Sequence, residues 1–206
     1  MAELLDLLNS DIGKTLVDSA SLQLGQNKAQ TSAALSTALP LVLGAMKNNA
    51  STEKGAAGLM GAISGKHDGS ILDNLGSALG SSSSLSDGAG ILAHVFGGKE
   101  QNVAQAIGRK SGLDLGSTMN LLKMAAPVIM GFLGKQAKQQ NVTDSNAIGN
   151  LLGGLMGNNA QNNQSMVTKL LDADGDGSVI DDVMGMVTGG KKKGGIGGML
   201  GNLFGN

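Results

Sequence analysis

Hydrophobic residues recur along this chain at helical spacing, and two long apolar segments carry the clearest pattern. Each segment contains one of the two prolines of the chain, Pro40 or Pro127. The segment TSAALSTALPLVLGAM at 31–46 aligns with TMNLLKMAAPVIMGFL at 118–133 at a constant offset of 87 residues. The chain therefore contains an internal repeat.

Each copy of the repeat predicts the same order of helices. A short helix is followed by a glycine turn, a long helix that contains the proline, and a further helix. The short helices are predicted at 13–22 and 100–110, the turns at Gly25 and Gly112, and the further helices at 52–64 and 143–156. A proline inside a helix removes one backbone hydrogen bond, so we expect both long helices to bend at the same place.

The repeat divides the chain into five predicted parts. They are the first helical repeat (1–79), a flexible Gly/Ser linker (80–88), the second helical repeat (89–157), a helix-loop-helix (158–190) and a Lys/Gly-rich amphipathic tail (191–206). Within them, Asp68, Asp87 and Asp176 each stand before a glycine and an apolar segment. We predict that these aspartates begin helices, because a carboxylate accepts hydrogen bonds from the free amides of the first turn.

The composition favours helices over strands. The chain has 34 glycines and 11 methionines, but only three phenylalanines and no tryptophan or tyrosine. Strands usually depend on aromatic and β-branched residues, so we predict an all-α protein with a core of Ala, Leu, Met, Val and Ile.

Charge and cysteine content exclude several classes of function. The formal net charge is −1, which argues against a general polyanion binder, because phosphate neutralisation needs a basic excess. There is no cysteine, so disulfides, thiol nucleophiles and cysteine metal sites are excluded.

The first residues lack the basic flank and apolar stretch of a secretory signal, so a cytoplasmic location is expected. No uninterrupted apolar run reaches the length of a membrane span, about 18 residues.

The second copy of the repeat carries a family resemblance. Residues 91–136, together with the preceding Gly90, contain a Gly-Ile-Leu-x-His segment, a Ser-Gly-Leu turn at 111–113, and a Leu-Leu helix that runs into Ala-Pro at 126–127. In this order the elements resemble the bacterial domain-of-unknown-function family 937, the YidB-like group. The resemblance covers most of residues 1–157. It implies a multihelical, largely orthogonal bundle, and it implies no activity and no catalytic residues.

The stretch LDADGDGSVIDDV at 171–183 is similar to a calcium loop of the EF-hand or dockerin type. Such a loop needs oxygen ligands at positions 1, 3 and 5, glycine at 6 and a backbone carbonyl at 7. Asp172, Asp174, Asp176, Gly177 and Ser178 occupy these positions in order. Three carboxylates so close together repel one another unless a cation lies between them, so the pattern predicts calcium binding.

The calcium loop departs from the full pattern at position 12. Val183 stands where a bidentate glutamate is expected, and Asp182 precedes it. Either Asp182 closes a loop that is one residue shorter, or the site lacks its last ligand. We expect weak binding, with a Kd on the order of 10⁻⁵ to 10⁻³ M. The alternative is an acidic helix cap without calcium, for which a single carboxylate suffices.

The tail that follows the predicted calcium loop has one apolar helical face. The residues on this face are Ile196, Met199, Leu200, Leu203 and Phe204. Glycines weaken this helix, so it needs a partner surface. The interpretation we prefer is packing on another helix or subunit. The alternative is peripheral contact with an anionic membrane, assisted by the three lysines at 191–193.

The candidate residues for other chemistry are few. Of the two histidines, His67 is expected to be exposed in a turn, and His94 to pack or to lie at a helix terminus. No nucleophile elbow is present, so we do not expect an enzyme. A nucleic-acid module using the second repeat is an alternative, through a basic surface formed by Arg109, Lys110, Lys123, Lys135 and Lys138.

Together these patterns predict a non-enzymatic helical interaction or scaffold protein. Its partner is expected to be another protein or a second copy of the chain. Calcium held by Asp172, Asp174, Asp176, the Ser178 carbonyl and Asp182 is expected to order the C-terminal region.

Overall fold

The computed structural model describes residues 4–157, and this part of the chain is helical without a strand. A 3₁₀ helix, Ser70–Asn74, lies between the fourth and fifth α-helices. The α-helices of this range are α1 (Leu4–Asn9), α2 (Asp11–Leu24), α3 (Lys28–Asn49), α4 (Glu53–Ser64), α5 (Leu75–Ala78), α6 (Ser82–Phe96), α7 (Glu100–Ser111), α8 (Leu115–Gln139) and α9 (Ser145–Met156). The all-α prediction is confirmed. The predicted parts 158–190 and 191–206 lie outside the described residues.

Side-chain caps begin most of the longer helices. At α3 the Asn27 side chain accepts from the amide of Ala29, and at α8 the Asp114 side chain accepts from the amide of Ser117. Such caps satisfy amides that have no partner inside the helix. The turns before these two helices contain the glycines that the sequence indicates. Gly25 and Gly112 have φ values of 61° and 78°, a left-handed conformation that favours glycine.

The two proline-containing helices, α3 and α8, form the centre of the fold. α3 packs against α2, α7, α8 and α9, while α8 packs against α2, α4, α6 and α7. Buried side chains from both predicted repeat segments belong to one hydrophobic cluster. Thr31 and Thr118, at equivalent positions, are fully buried, and their hydroxyls donate to the carbonyls four residues earlier. Both helices continue through their prolines.

The segment that the sequence predicted as a flexible linker is largely helical. α6 begins at Ser82, where the Ser81 hydroxyl caps it by accepting from the amide of Ser84. The prediction of a flexible link at 80–88 is therefore wrong in its local structure, and so is the helix start at Asp87, which lies inside α6. Gly88 lies where this segment contacts α8. It packs so closely on the Lys123 carbonyl of α8 that no Cβ could fit.

Helix α3 also has the length and hydropathy of a membrane span. Of its most apolar stretch, 61% is buried inside the protein, as in the core helix of a folded domain. Within the described range it is the one helix that meets these criteria of length and composition.

Candidate functional site

The five residues predicted to bind calcium lie outside the described residues. They are Asp172, Asp174, Asp176, Ser178 and Asp182. Within residues 4–157, no group of three or more His, Asp or Glu side chains is arranged to hold a metal ion. The candidate sites within residues 4–157 are therefore formed by other residues.

A group of interacting polar and charged residues surrounds His67 in the part of the chain that the structure describes. This His67 cluster consists of Lys66, His67, Asp68, Asp87 and Lys138. Its first three members lie in the loop between α4 and the 3₁₀ helix, Asp87 is on α6, and Lys138 is in the last turn of α8. The cluster therefore joins three parts of the fold that are distant in sequence.

Asp87 holds the first side of the loop. The Lys66 Nζ atom donates to Asp87 Oδ1 at 2.6 Å, and His67 Nε2 lies 3.7 Å from Asp87 Oδ2. The His67 side chain is only 7% exposed, whereas that of Lys66 is 68% exposed. The lysine pair is thus a surface interaction of modest strength, and the histidine is the buried member.

Asp68 holds the other side of the loop. Its Oδ2 accepts from Lys138 Nζ at 2.9 Å, and its Oδ1 accepts from the amide of Ser70 at 3.1 Å. These bonds to the charged form hold the pKa of Asp68 well below its ordinary value. The prediction that Asp68 caps the following segment is correct for the Ser70 amide. The segment begins as a 3₁₀ helix, however, and its first flanking residue is Gly69.

Burial lowers the pKa of His67 below 6.5, because removal from water disfavours the charged imidazole. The Asp87 carboxylate opposes this shift, and Lys66 adds to it.

The backbone of the same loop lies directly on α8. A Cβ at Gly134 would overlap the His67 carbonyl, so only glycine allows this approach.

The two histidines differ from each other in exposure. The expectation that His67 is exposed is wrong, because the loop folds onto α8 and carries the ring inward. His94 is exposed in the last turn of α6, and its Nδ1 lies 2.8 Å from the Gly90 carbonyl. This agrees with a helix-terminus role for His94. Sequence reasoning missed the partnership of His67 with Asp87, because the two residues come from separate elements.

A second candidate region is an open concavity of about 530 Å³ beside the turn between α7 and α8. Four of its lining residues, the exposed Gln105, Arg109 and Leu115 and the buried Leu113, are named the turn surface. Leu115 is 38% exposed, and within the described range it is one of two large hydrophobic residues that are exposed, the other being Leu22. Asp114 also lines the concavity, but its carboxylate accepts from the amide and the hydroxyl of Ser117.

The turn between α7 and α8 is held by two contacts with the beginning of α3 and the turn before it. Gln30 donates to the Gly112 carbonyl at 3.2 Å, and Gln26 donates to the Ser117 hydroxyl at 3.0 Å. Each bond links the start of one long helix to the turn that precedes the other. The turn before α3 and the turn before α8 are therefore fixed against each other.

The predicted basic surface of the second repeat is only partly available for binding. Lys138 forms an ion pair with Asp68, and Lys123 is half-buried on α8. Arg109 and Lys110 are exposed at the end of α7. No described carboxylate lies within ion-pair distance of Arg109.

Comparison with known proteins identifies a family and no characterised relative. The model of a family described as "Bacterial protein of unknown function (DUF937)" matches residues 6–136 and 137–206. No curated protein and no solved structure matches the chain.

Proposed function

This chain belongs to the DUF937 family of bacterial proteins of unknown function, and from that premise we propose that it is a non-enzymatic helical interaction protein with a weak calcium site. The helical domain at 4–157 acts as the scaffold. The C-terminal region acts as the calcium-responsive part. Its partner is another protein or a second copy of the chain.

The observation that carries the calcium proposal is the agreement of residues 172–179 with the first eight positions of an EF-hand loop. The helix caps in the described region support this interpretation. Asp114 and Asp144 each begin a helix with one carboxylate, which accepts from the amide three residues later. Because one aspartate suffices for a cap in this chain, the additional Asp172 and Asp174 favour a cation ligand.

Both histidines of the described region have structural contacts, which supports the interaction proposal. His67 is buried against Asp87, and His94 contacts the carbonyl of its own helix at Gly90. The exposed Leu115 beside Arg109 is instead typical of a surface that contacts another polypeptide.

Calorimetric titration of the full chain with calcium tests the proposal. We expect heat that fits a Kd on the order of 10⁻⁵ to 10⁻³ M, and loss of that heat in Asp172→Ala and Asp176→Ala. The matched control is Asp73→Ala, which removes an exposed carboxylate from the 3₁₀ helix. Absence of heat in the unaltered chain would refute the calcium site.

Two further measurements test the alternative functions. DNA binding through the second repeat would weaken steeply with salt and with Arg109→Ala, whereas the interaction proposal expects no such binding. Membrane association would appear as cosedimentation with anionic vesicles that depends on residues 191–206. Either positive result would replace the proposed interaction function.

A further inference from the structure

We propose that the turn surface is the docking site for the acidic helix-loop-helix of the same chain, residues 158–190, in its calcium-bound form. This inference rests on the proposed calcium site and deepens it, because it names the surface on which the ordered hairpin acts. Three observations support it: charge, apolar matching and reach.

The charges of the two parts are complementary. Residues 89–157 contain six Lys or Arg and three Asp or Glu, whereas residues 158–190 contain five Asp and one Lys. One bound calcium ion offsets two of those negative charges, so the hairpin remains acidic when calcium is bound. Arg109, exposed at the concavity and without a described carboxylate partner, offers a planar donor group suited to carboxylates.

The apolar parts match as well. The last part of the calcium loop and the segment after it place Ile180, Met184 and Val187 at the spacing of one helical face. On the described side, Leu115 is exposed at the first residue of α8, above the buried Leu113 that lines the same concavity. An apolar helical face set in the concavity would cover Leu115 and bring the loop carboxylates towards Arg109.

The chain between the two parts is long enough. The described region ends at Gly157 and the calcium loop begins at Asp172, so 14 residues, 158–171, connect them. With 158–165 extended at about 3.3 Å per residue and 166–171 helical at about 1.5 Å per residue, this connection spans roughly 35 Å. On the described side, Gly153 of α9 lies beside the Lys47 side chain of α3, and Gln30 of the same helix donates to the Gly112 carbonyl. Residues 30 and 47 are about 26 Å apart along α3 at 1.5 Å per residue, so the hairpin can reach the turn surface, where the tether raises its effective concentration.

Calcium strengthens this docking for a physical reason. Without the ion, the loop carboxylates repel one another and the hairpin must lose conformational entropy when it docks. With the ion bound, that ordering has already occurred, so docking and calcium binding are coupled. By reciprocity, weakening the dock must weaken calcium binding by the same factor.

Distance measurement between two spin labels in the full chain tests the proposal. The chain has no cysteine, so spin labels attach only at the two introduced cysteines, Gln101→Cys and Thr188→Cys. Gln101 is exposed on α7 outside the concavity. With calcium we expect one narrow distance distribution, unchanged when labelled chain is diluted with unlabelled chain. Without calcium we expect a broad one.

Variants of the turn surface provide the decisive comparison. Arg109→Glu and Leu115→Ser should each weaken docking and calcium affinity by about tenfold, the loss of one strong contact. The matched controls are Lys54→Glu, an exposed lysine of α4, and Leu22→Ser, which is 84% exposed and does not line the concavity. All four positions are exposed, so unchanged helical circular dichroism checks folding.

The outcomes separate docking from calcium binding. Calcium heat with a broad distance distribution would overturn the dock and leave the calcium site intact. A narrow distribution that persists in Arg109→Glu and Leu115→Ser would place the hairpin elsewhere and overturn the dock as well. A short distance that disappears on dilution would assign the hairpin to a second copy. Absence of calcium heat in the unaltered chain would overturn the proposed function itself.

Discussion

His67 Nε2 lies 3.7 Å from Asp87 Oδ2, although the two residues belong to different elements of the fold. The His67 ring is buried, whereas the Asp87 carboxylate is partly exposed. Burial lowers the pKa of His67 more than the neighbouring carboxylate raises it.

We predict that the protein loses stability as pH falls below about 6.5. The folded His67 has a pKa below 6.5, whereas the unfolded chain protonates at the ordinary value. The unfolded state therefore takes up the proton first, and the free energy of unfolding falls by at most about 1.4 kcal/mol per pH unit until the folded pKa is reached. Urea unfolding between pH 7 and pH 5 measures this slope. His67→Asn should flatten it, and an equal slope in that variant would contradict the assignment.

Replacing Asp87 should lower the pKa of His67 further. Asp87→Asn removes the carboxylate that favours the imidazolium, while burial and the positive charge of Lys66 remain. Proton NMR of the His67 ring measures the change directly, because the chain has only one other histidine. Asp73→Asn, on the exposed 3₁₀ helix, is the control. A rise in the pKa of His67 in Asp87→Asn would show that the carboxylate does not act on the ring as the geometry indicates.

Two glycine substitutions should have opposite effects on stability. Gly134→Ala places a Cβ against the His67 carbonyl, so either the loop or α8 must move, at an expected cost of about 2 kcal/mol or more. Gly58→Ala, on the exposed face of α4, meets no atom within 4 Å and should stabilise by about 0.5–1 kcal/mol through helix propensity. Thermal unfolding of both variants checks this. Equal effects would contradict the close approach of the loop to α8.

Restoring the missing ligand of the calcium loop should tighten binding. Val183→Glu supplies the bidentate carboxylate at position 12, and we expect the Kd to fall by about tenfold or more, towards the range of calcium sensors. Calorimetric titration measures the change. Asp182→Asn is the companion variant. If Asp182 closes a shorter loop, affinity falls in Asp182→Asn and does not rise in Val183→Glu, which would contradict the longer loop.

The boundaries of many helices were predictable from sequence because their signals are local. The Thr52 cap lies within three residues of the amide that it accepts from, and the glycines at 25 and 112 stand at the turns that they form. The start of α6 also had a local signal, since Leu85, Gly88, Leu92 and Val95 follow helical spacing. The Gly- and Ser-rich composition of 80–88 is typical of flexible linkers, and for that reason the sequence predicted a linker there instead of a helix.

The sequence by itself determined the helical class, the family resemblance, the equivalent turns and the acidic loop pattern at 172–182. These follow from residue types within a few positions of one another. Only the tertiary structure decided that His67 is buried, that Asp87 faces it, and that Leu115 and Arg109 share one concavity. The physical reason is that exposure and charge pairing depend on which distant helices pack together. That packing is set by close backbone approaches such as Gly88 on Lys123 and Gly134 on His67.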